Sequence, residues 1–125
     1  MTEKKALVIL IEDEEMLSNM YETKFVKEGY QIKKALDGET GLKLSQEEKP
    51  DLILLDIIMP KLDGFSVLRK LKEDPKTKDI PVVLLTNLGQ DEDVKKGTKL
   101  GAVGYLVKAN LTPTQVVDKV REYLK

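Results

Sequence analysis

Leu52-Ile53-Leu54-Leu55 sets four branched apolar residues in a row, with no polar alternate to turn toward solvent. A run so short and so uniform reads as a strand covered on both faces, the habit of a central strand in a parallel sheet. Ala6 to Ile11 and Ile80 to Leu85 repeat the pattern. Each run ends in polar residues: Glu12 and Asp13 after the first, Asp56 after Leu55, and Thr86 after Leu85. In open α/β sheets ligands bind outside the carboxyl ends of the strands, so these residues stand where chemistry is done. Taken alone, Asp56 also has a bland reading, as a strand-ending acid that begins a turn before Pro60.

Helical patterns separate the strands. Residues 14 to 28 carry Met16, Leu17, Met20, Tyr21 and Phe25 on a one-face spacing, closed by Gly29. Tyr30 to Leu36 is a short extended segment, Asp37-Gly38 turns into a helix over 39 to 48, and Pro50 closes it. Asp63 is placed to cap a helix whose Val67, Leu68 and Leu71 face inward, ended by Asp74-Pro75. Asp91 to Leu100 is a weaker helix anchored by Val94 and Leu100, with Gly97 costing it about 1 kcal/mol relative to alanine. Val103 to Val107 is a fifth strand, followed by Lys108. Thr112-Pro113-Thr114-Gln115 combines an N-cap, a first-turn proline and a capping-box glutamine, opening a helix that buries Val116, Val117, Val120 and Leu124.

Strands alternating with helices through short connections require a parallel sheet with right-handed crossovers, and the length suits one domain over residues 1–125. Alternation leaves the strand order open. The flavodoxin-like order 2-1-3-4-5, a (βα)5 three-layer α/β sandwich, would set the first and third strands side by side and gather Glu12, Asp13 and Asp56.

The chain has no cysteine and no histidine, which removes zinc sites, thiol nucleophiles and imidazole catalysis together. Hard oxygen ligands remain, suited to magnesium, calcium or manganese. With 21 basic and 22 acidic residues the net charge is -1, so no overall basic field exists to hold nucleic acid. No apolar run approaches the roughly 20 residues of a membrane span, and Met1 to Lys5 lead straight into a strand rather than a signal sequence, so a cytoplasmic protein is expected.

Three carboxylates held close together repel one another, and a divalent cation relieves that. Magnesium takes few protein carboxylates plus waters and phosphate oxygens, while Lys108 and Thr86 would complement a tetrahedral dianion over Asp56. Singly, Asp13 reads as a helix cap, Thr86 as a loop residue and Lys108 as one basic residue among 21. Jointly, independent surface choices have no reason to place acid, acid, hydroxyl and base at four strand ends of one polarity.

Over essentially its whole length the chain resembles a two-component response-regulator receiver domain of the chemotaxis-regulator type. The resemblance is carried by the acidic pair Glu12-Asp13, L-L-D-x-x-M-P-x-x-D-G-F at 54 to 65, Leu85-Thr86, and G-Y-L-V-K at 104 to 108. It implies that Asp56 is the phospho-accepting nucleophile and that Asp13 with Glu12 binds Mg2+, together with Asp56 and the main-chain carbonyl of Ile58. It also implies that Thr86 and Lys108 contact the phosphoryl group and that Tyr105 is the switch aromatic. The donor is then a separate histidine kinase or phosphotransfer protein. The readout is a downstream protein target, or a second copy, at the face of the fourth helix, fifth strand and fifth helix, with no direct nucleic-acid or membrane binding. Such a protein catalyses its own phosphorylation and slow dephosphorylation, with no separate substrate to turn over.

The chain departs from the family pattern in places. Ala109 follows Lys108 where the family usually has proline, often after a cis bond; a cis bond before a non-proline residue costs about 2.5 to 4 kcal/mol, so a trans bond and a different loop path are expected. Asn87 stands where a small residue is common, narrowing access to the phosphoryl pocket. Ile58 and Leu88 occupy positions where polar side chains help place the hydrolytic water in fast-hydrolysing members, so a long-lived phosphorylated form is expected. Three other readings compete. A haloacid-dehalogenase-type phosphatase needs a second acid where Ile58 stands, and a P-loop or dinucleotide fold needs glycines that residues 12 to 16 lack. A receiver-like interaction module that is never phosphorylated remains as the alternative. One geometric condition underlies the reading: Asp13 and Asp56 must lie close enough to share an ion.

Overall fold

Strands form where the uniform apolar runs lie, and helices where the caps and one-face spacings lie. The structure, a computed structural model, describes residues 5–124. Its elements are β1 (Leu7–Ile11), α1 (Glu15–Lys27), β2 (Gln31–Ala35), α2 (Gly38–Glu48), β3 (Leu52–Leu55), α3 (Gly64–Glu73), β4 (Val82–Thr86), α4 (Asp91–Lys99), β5 (Gly104–Val107), a 3-10 turn (Lys108–Asn110) and α5 (Pro113–Tyr123). The five strands make one parallel sheet in the order β2-β1-β3-β4-β5, the flavodoxin-like arrangement.

Alternating side chains of the buried strands divide the core in two. Ile9, Ile11, Ile53, Leu55, Val82 and Leu84 pack on one side with Val67, Leu68 and Leu71 of α3. Val8, Leu10, Leu52, Leu54, Val83 and Leu85 pack on the other with Tyr21 and Phe25 of α1 and Val116, Val117 and Val120 of α5. Three layers result. The caps act as the local chemistry requires: Asp63 accepts from the Ser66 N–H at 3.1 Å, and Thr112 and Gln115 exchange both bonds of a capping box at the start of α5. No helix among the described residues is long and apolar enough to cross a membrane.

Two details of the sequence reading are corrected. Met16 and Met20 do not face the core; they are 82% and 51% exposed, whereas Ser18, Tyr21 and Phe25 are buried. Met16 and Met20 share a helical stripe rotated by about 100° from Leu17 and Tyr21, and the aromatic stripe, with more area to bury, takes the core. In α4 the buried residue is Gly97, not Val94. A Cβ there would lie 2.6 Å from Leu84 Cδ1, so the glycine is where the helix backbone lies against the sheet.

Candidate functional site

Strand register assembles the site. Ile11 pairs with Leu55, so Glu12 and Asp56, the next residue on each strand, come side by side; Thr86 pairs with Val107, which sets Lys108 one step beyond. Carboxylate oxygens of Glu12, Asp13 and Asp56 lie within 4.8 Å of one another, so the condition on Asp13 and Asp56 is met. Asp13 does not cap α1, whose N-cap is Glu14 without a side-chain bond. That leaves its carboxylate free of the ordinary role considered for it.

Lys108 crosses the sheet edge to this cluster. Its ammonium donates to Glu12 Oε1 and, at 2.8 Å, to Asp56 Oδ2, with the lysine side chain 9% exposed. The other oxygen, Asp56 Oδ1, accepts from the Ile58 N–H at 3.2 Å. Burial pushes the Glu12 carboxyl up to about 7, against the pull of its Lys108 hydrogen bond, and the Asp56 charge adds to the rise. Burial alone would depress the Lys108 ammonium, but hydrogen bonds to Asp56 and Glu12 hold it above the usual lysine value. An acid-rich site already short of positive charge fits a divalent cation with oxygen ligands.

The loop after β3 is held by close backbone approach. Gly64 N–H donates to the Ile57 carbonyl at 2.8 Å, and a Cβ on Gly64 would sit 2.5 Å from Ile57 Cα and closer still to the Asp56 carbonyl oxygen. Only glycine lets α3 start this near the end of β3. Lys61, at φ 67°, makes the tight turn in which the Leu62 N–H reaches the Pro60 carbonyl at 2.8 Å.

Thr86 and Tyr105 meet at one residue. The buried Thr86 hydroxyl accepts from the Leu88 N–H at 3.4 Å, while the Tyr105 hydroxyl donates to the Leu88 carbonyl at 2.5 Å. Burial, with the charges of Asp93 and Asp56, pushes the Tyr105 phenol up to about 12, so it stays a neutral donor. No peptide bond among the described residues is cis, and Lys108 nevertheless reaches Asp56. Sequence reasoning missed that the Ala109 N–H donates to Asn87 Oδ1 at 3.0 Å. The available signal was that both positions depart from the family pattern in the same chain.

A parallel sheet in this order, with an acid cluster and an ammonium meeting at its carboxyl edge, places the chain among the flavodoxin-like α/β domains. Residues 8–121 match the family model described as the response regulator receiver domain, and the chain belongs to that family, the receiver of two-component signalling. It is 43% identical over 103 residues to the response regulator PleD of Caulobacter vibrioides, covering 82% of this chain and 23% of PleD. It is 41% identical over 118 residues to the DNA-binding dual master transcriptional regulator RpaA of Synechocystis, covering 94% of this chain and 48% of RpaA. The chain thus spans less than half the length of these curated relatives. Among solved structures, Vibrio cholerae chemotaxis protein CheY4 superposes with a TM-score of 0.89 at 26% identity, covering 95% of this chain and 98% of that one. The Mn(2+)-bound form of response regulator Rcp1 gives a TM-score of 0.82 at 28% identity, covering 94% and 93%.

Proposed function

We propose that this domain accepts a phosphoryl group on Asp56 from a partner histidine kinase or phosphotransfer protein, in a reaction that depends on Mg2+. The observation that carries the reading is the Lys108 ammonium on Asp56 Oδ2 beside the carboxylates of Glu12 and Asp13. Glu12, Asp13, Asp56 and the main-chain carbonyl of Ile58 are the groups that would hold the ion. The ion supplies positive charge for the incoming phosphoryl oxygens. Manganese in Rcp1, a hard divalent cation in a related receiver, supports this assignment.

An Asp56 oxygen attacks phosphorus in line, the bond from phosphorus to the donor's imidazole nitrogen breaks, and an acyl phosphate forms on the carboxylate. Lys108 is already placed to neutralise the transferring oxygens, and the Thr86 hydroxyl is the neutral donor beside them. These 125 residues contain no histidine, so the phosphohistidine lies outside them.

Thr86 takes the N–H and Tyr105 the carbonyl of the same residue, Leu88, so a phosphoryl group that draws the Thr86 hydroxyl inward disturbs the anchor of Tyr105. That supports α4, β5 and α5 as the face whose equilibrium phosphorylation biases, toward a protein target or a second copy. A groove of about 360 Å³ lined by Tyr105, Val107, Lys119 and Tyr123 lies there. The net charge of -1 supports the reading that these 125 residues do not themselves grip nucleic acid, and their composition supports a cytoplasmic setting. The test is beryllium trifluoride, an acyl-phosphate mimic. Wild type is expected to form an adduct only with Mg2+, and Asp56→Asn none. A wild-type chain that forms no Mg2+-dependent adduct leaves the unphosphorylated interaction module standing instead.

A further inference from the structure

The bond from Ala109 to Asn87 lies outside every role described so far. Thr86 pairs with Val107 across β4 and β5, which sets Asn87 abreast of Lys108 just where both strands end. Beyond the strand, Lys108–Asn110 form a single 3-10 turn closed by one backbone bond, from the Leu111 N–H to the Lys108 carbonyl at 3.2 Å. The first N–H groups of a helical turn have no partner inside it. Asn87 supplies one from outside, its Oδ1 taking the Ala109 N–H at 3.0 Å, across 22 residues of chain. Lys108 is tied to the acids at one end of the turn and Leu111 packs on the core at the other, but between them Ala109 is exposed and borders a groove of about 230 Å³ lined also by Leu17 and Met20 of α1.

Lysine carries its charge on a flexible four-carbon stem, so the place of the ammonium is set by where the backbone launches that stem. The launch point here is the residue next to Ala109. Asn87 itself is exposed and belongs to neither core cluster, so packing does not account for it. We propose that Asn87 is a positioning residue: by clamping the Ala109 N–H it fixes the Lys108 turn against the end of β4, and so sets the ammonium relative to both Asp56 and the Thr86 hydroxyl. One side chain thereby holds the two phosphate-facing groups at a constant separation. The consequence is specific to phosphoryl acceptance, because the clamp touches neither the acids nor the core.

This inference rests on the reading of Asp56 as a phosphoryl acceptor, and its test keeps the two apart. Asp56 phosphorylation by a small acyl phosphate at saturating Mg2+ is measured for wild type, Asn87→Ala, Ala109→Pro and the double variant, and hydrogen exchange of the Ala109 amide for wild type and Asn87→Ala. Asn87→Ala is expected to slow phosphorylation roughly three- to tenfold, the worth of one such hydrogen bond, and to speed Ala109 exchange by a similar factor. Its urea midpoint is expected to fall by no more than the worth of that one bond, with an unchanged slope. Proline at 109 has no N–H to give, so in that background removing Asn87 should cost nothing further. Equal slowing in both backgrounds, or none in either, overturns the positioning role while leaving Asp56 as acceptor. A wild-type chain that accepts no phosphoryl group overturns both.

Discussion

Gly97→Ala sets two magnitudes against each other. Replacing an interior helical glycine by alanine gains about 1 kcal/mol of helix propensity. The added methyl, however, would lie 2.6 Å from Leu84 Cδ1 and 3.5 Å from Tyr105 Cδ2, where carbon atoms prefer roughly 3.5 to 4.0 Å. Overpacking of that size costs about 1 to 3 kcal/mol when neighbours must shift. What shifts is decided by anchoring. Leu84 is fully buried among β-strand and α3 side chains, whereas α4 buries only Gly97 itself. The helix therefore yields and the core holds. We expect a net loss of about 1 kcal/mol, read in urea as a lowered midpoint with an unchanged slope. Backbone amide shifts should concentrate in α4 and around Tyr105. A variant more stable than wild type, or shifts centred on β1 and β3, would refute the claim that Gly97 is a contact rather than a weak point.

Gly64→Ala faces backbone instead of a side-chain tip, so no rotamer relieves it; a loss of roughly 3 kcal/mol or more is expected, and a melting temperature equal to wild type would contradict the close approach described. The apolar pair Ile58 and Leu88 offers no hydrogen bond to a hydrolytic water, so Ile58→Asn with Leu88→Glu should lose phosphate from Asp56 faster than wild type. Equal rates of phosphate release would show that these side chains do not set the lifetime.

Much of the fold was legible because its signals are local. Uniform runs such as Leu52 to Leu55 allow one kind of strand, and Thr112 with Gln115 writes a helix start in four residues. Topology then brought Glu12, Asp13 and Asp56 together as the order 2-1-3-4-5 requires. What stayed hidden depends on relations that no window of sequence contains. Met16 and Met20 repeat with the same period as Leu17 and Tyr21, and periodicity gives the spacing of a stripe but not which of two neighbouring stripes faces in. Gly97 looks costly by propensity alone, since its reason is a leucine on another element. Asn87 and Ala109 become partners only once β4 and β5 are in register.

The charges at the strand ends show why the proposed acceptor and switch would share one edge. Three carboxylates face one ammonium, so the site carries an excess of negative charge before any phosphoryl group arrives. A further dianion would be repelled unless a cation accompanied it, so the proposed metal requirement follows from the acids rather than adding to them. The buried pairs of Lys108 gain little net stability, because desolvating the charges offsets most of their attraction. Holding that ammonium therefore serves position more than folding. The neutral hydroxyls respond differently: Thr86 and Tyr105 both bond the backbone of Leu88, one at its N–H and one at its carbonyl, so a shift at the threonine hydroxyl is felt at the phenol without any charge crossing the sheet. On the proposed reading, rigid strands would fix where the phosphoryl group is received, and the turns after β4 and β5, with α4 resting on a glycine, would be the parts with freedom to answer it.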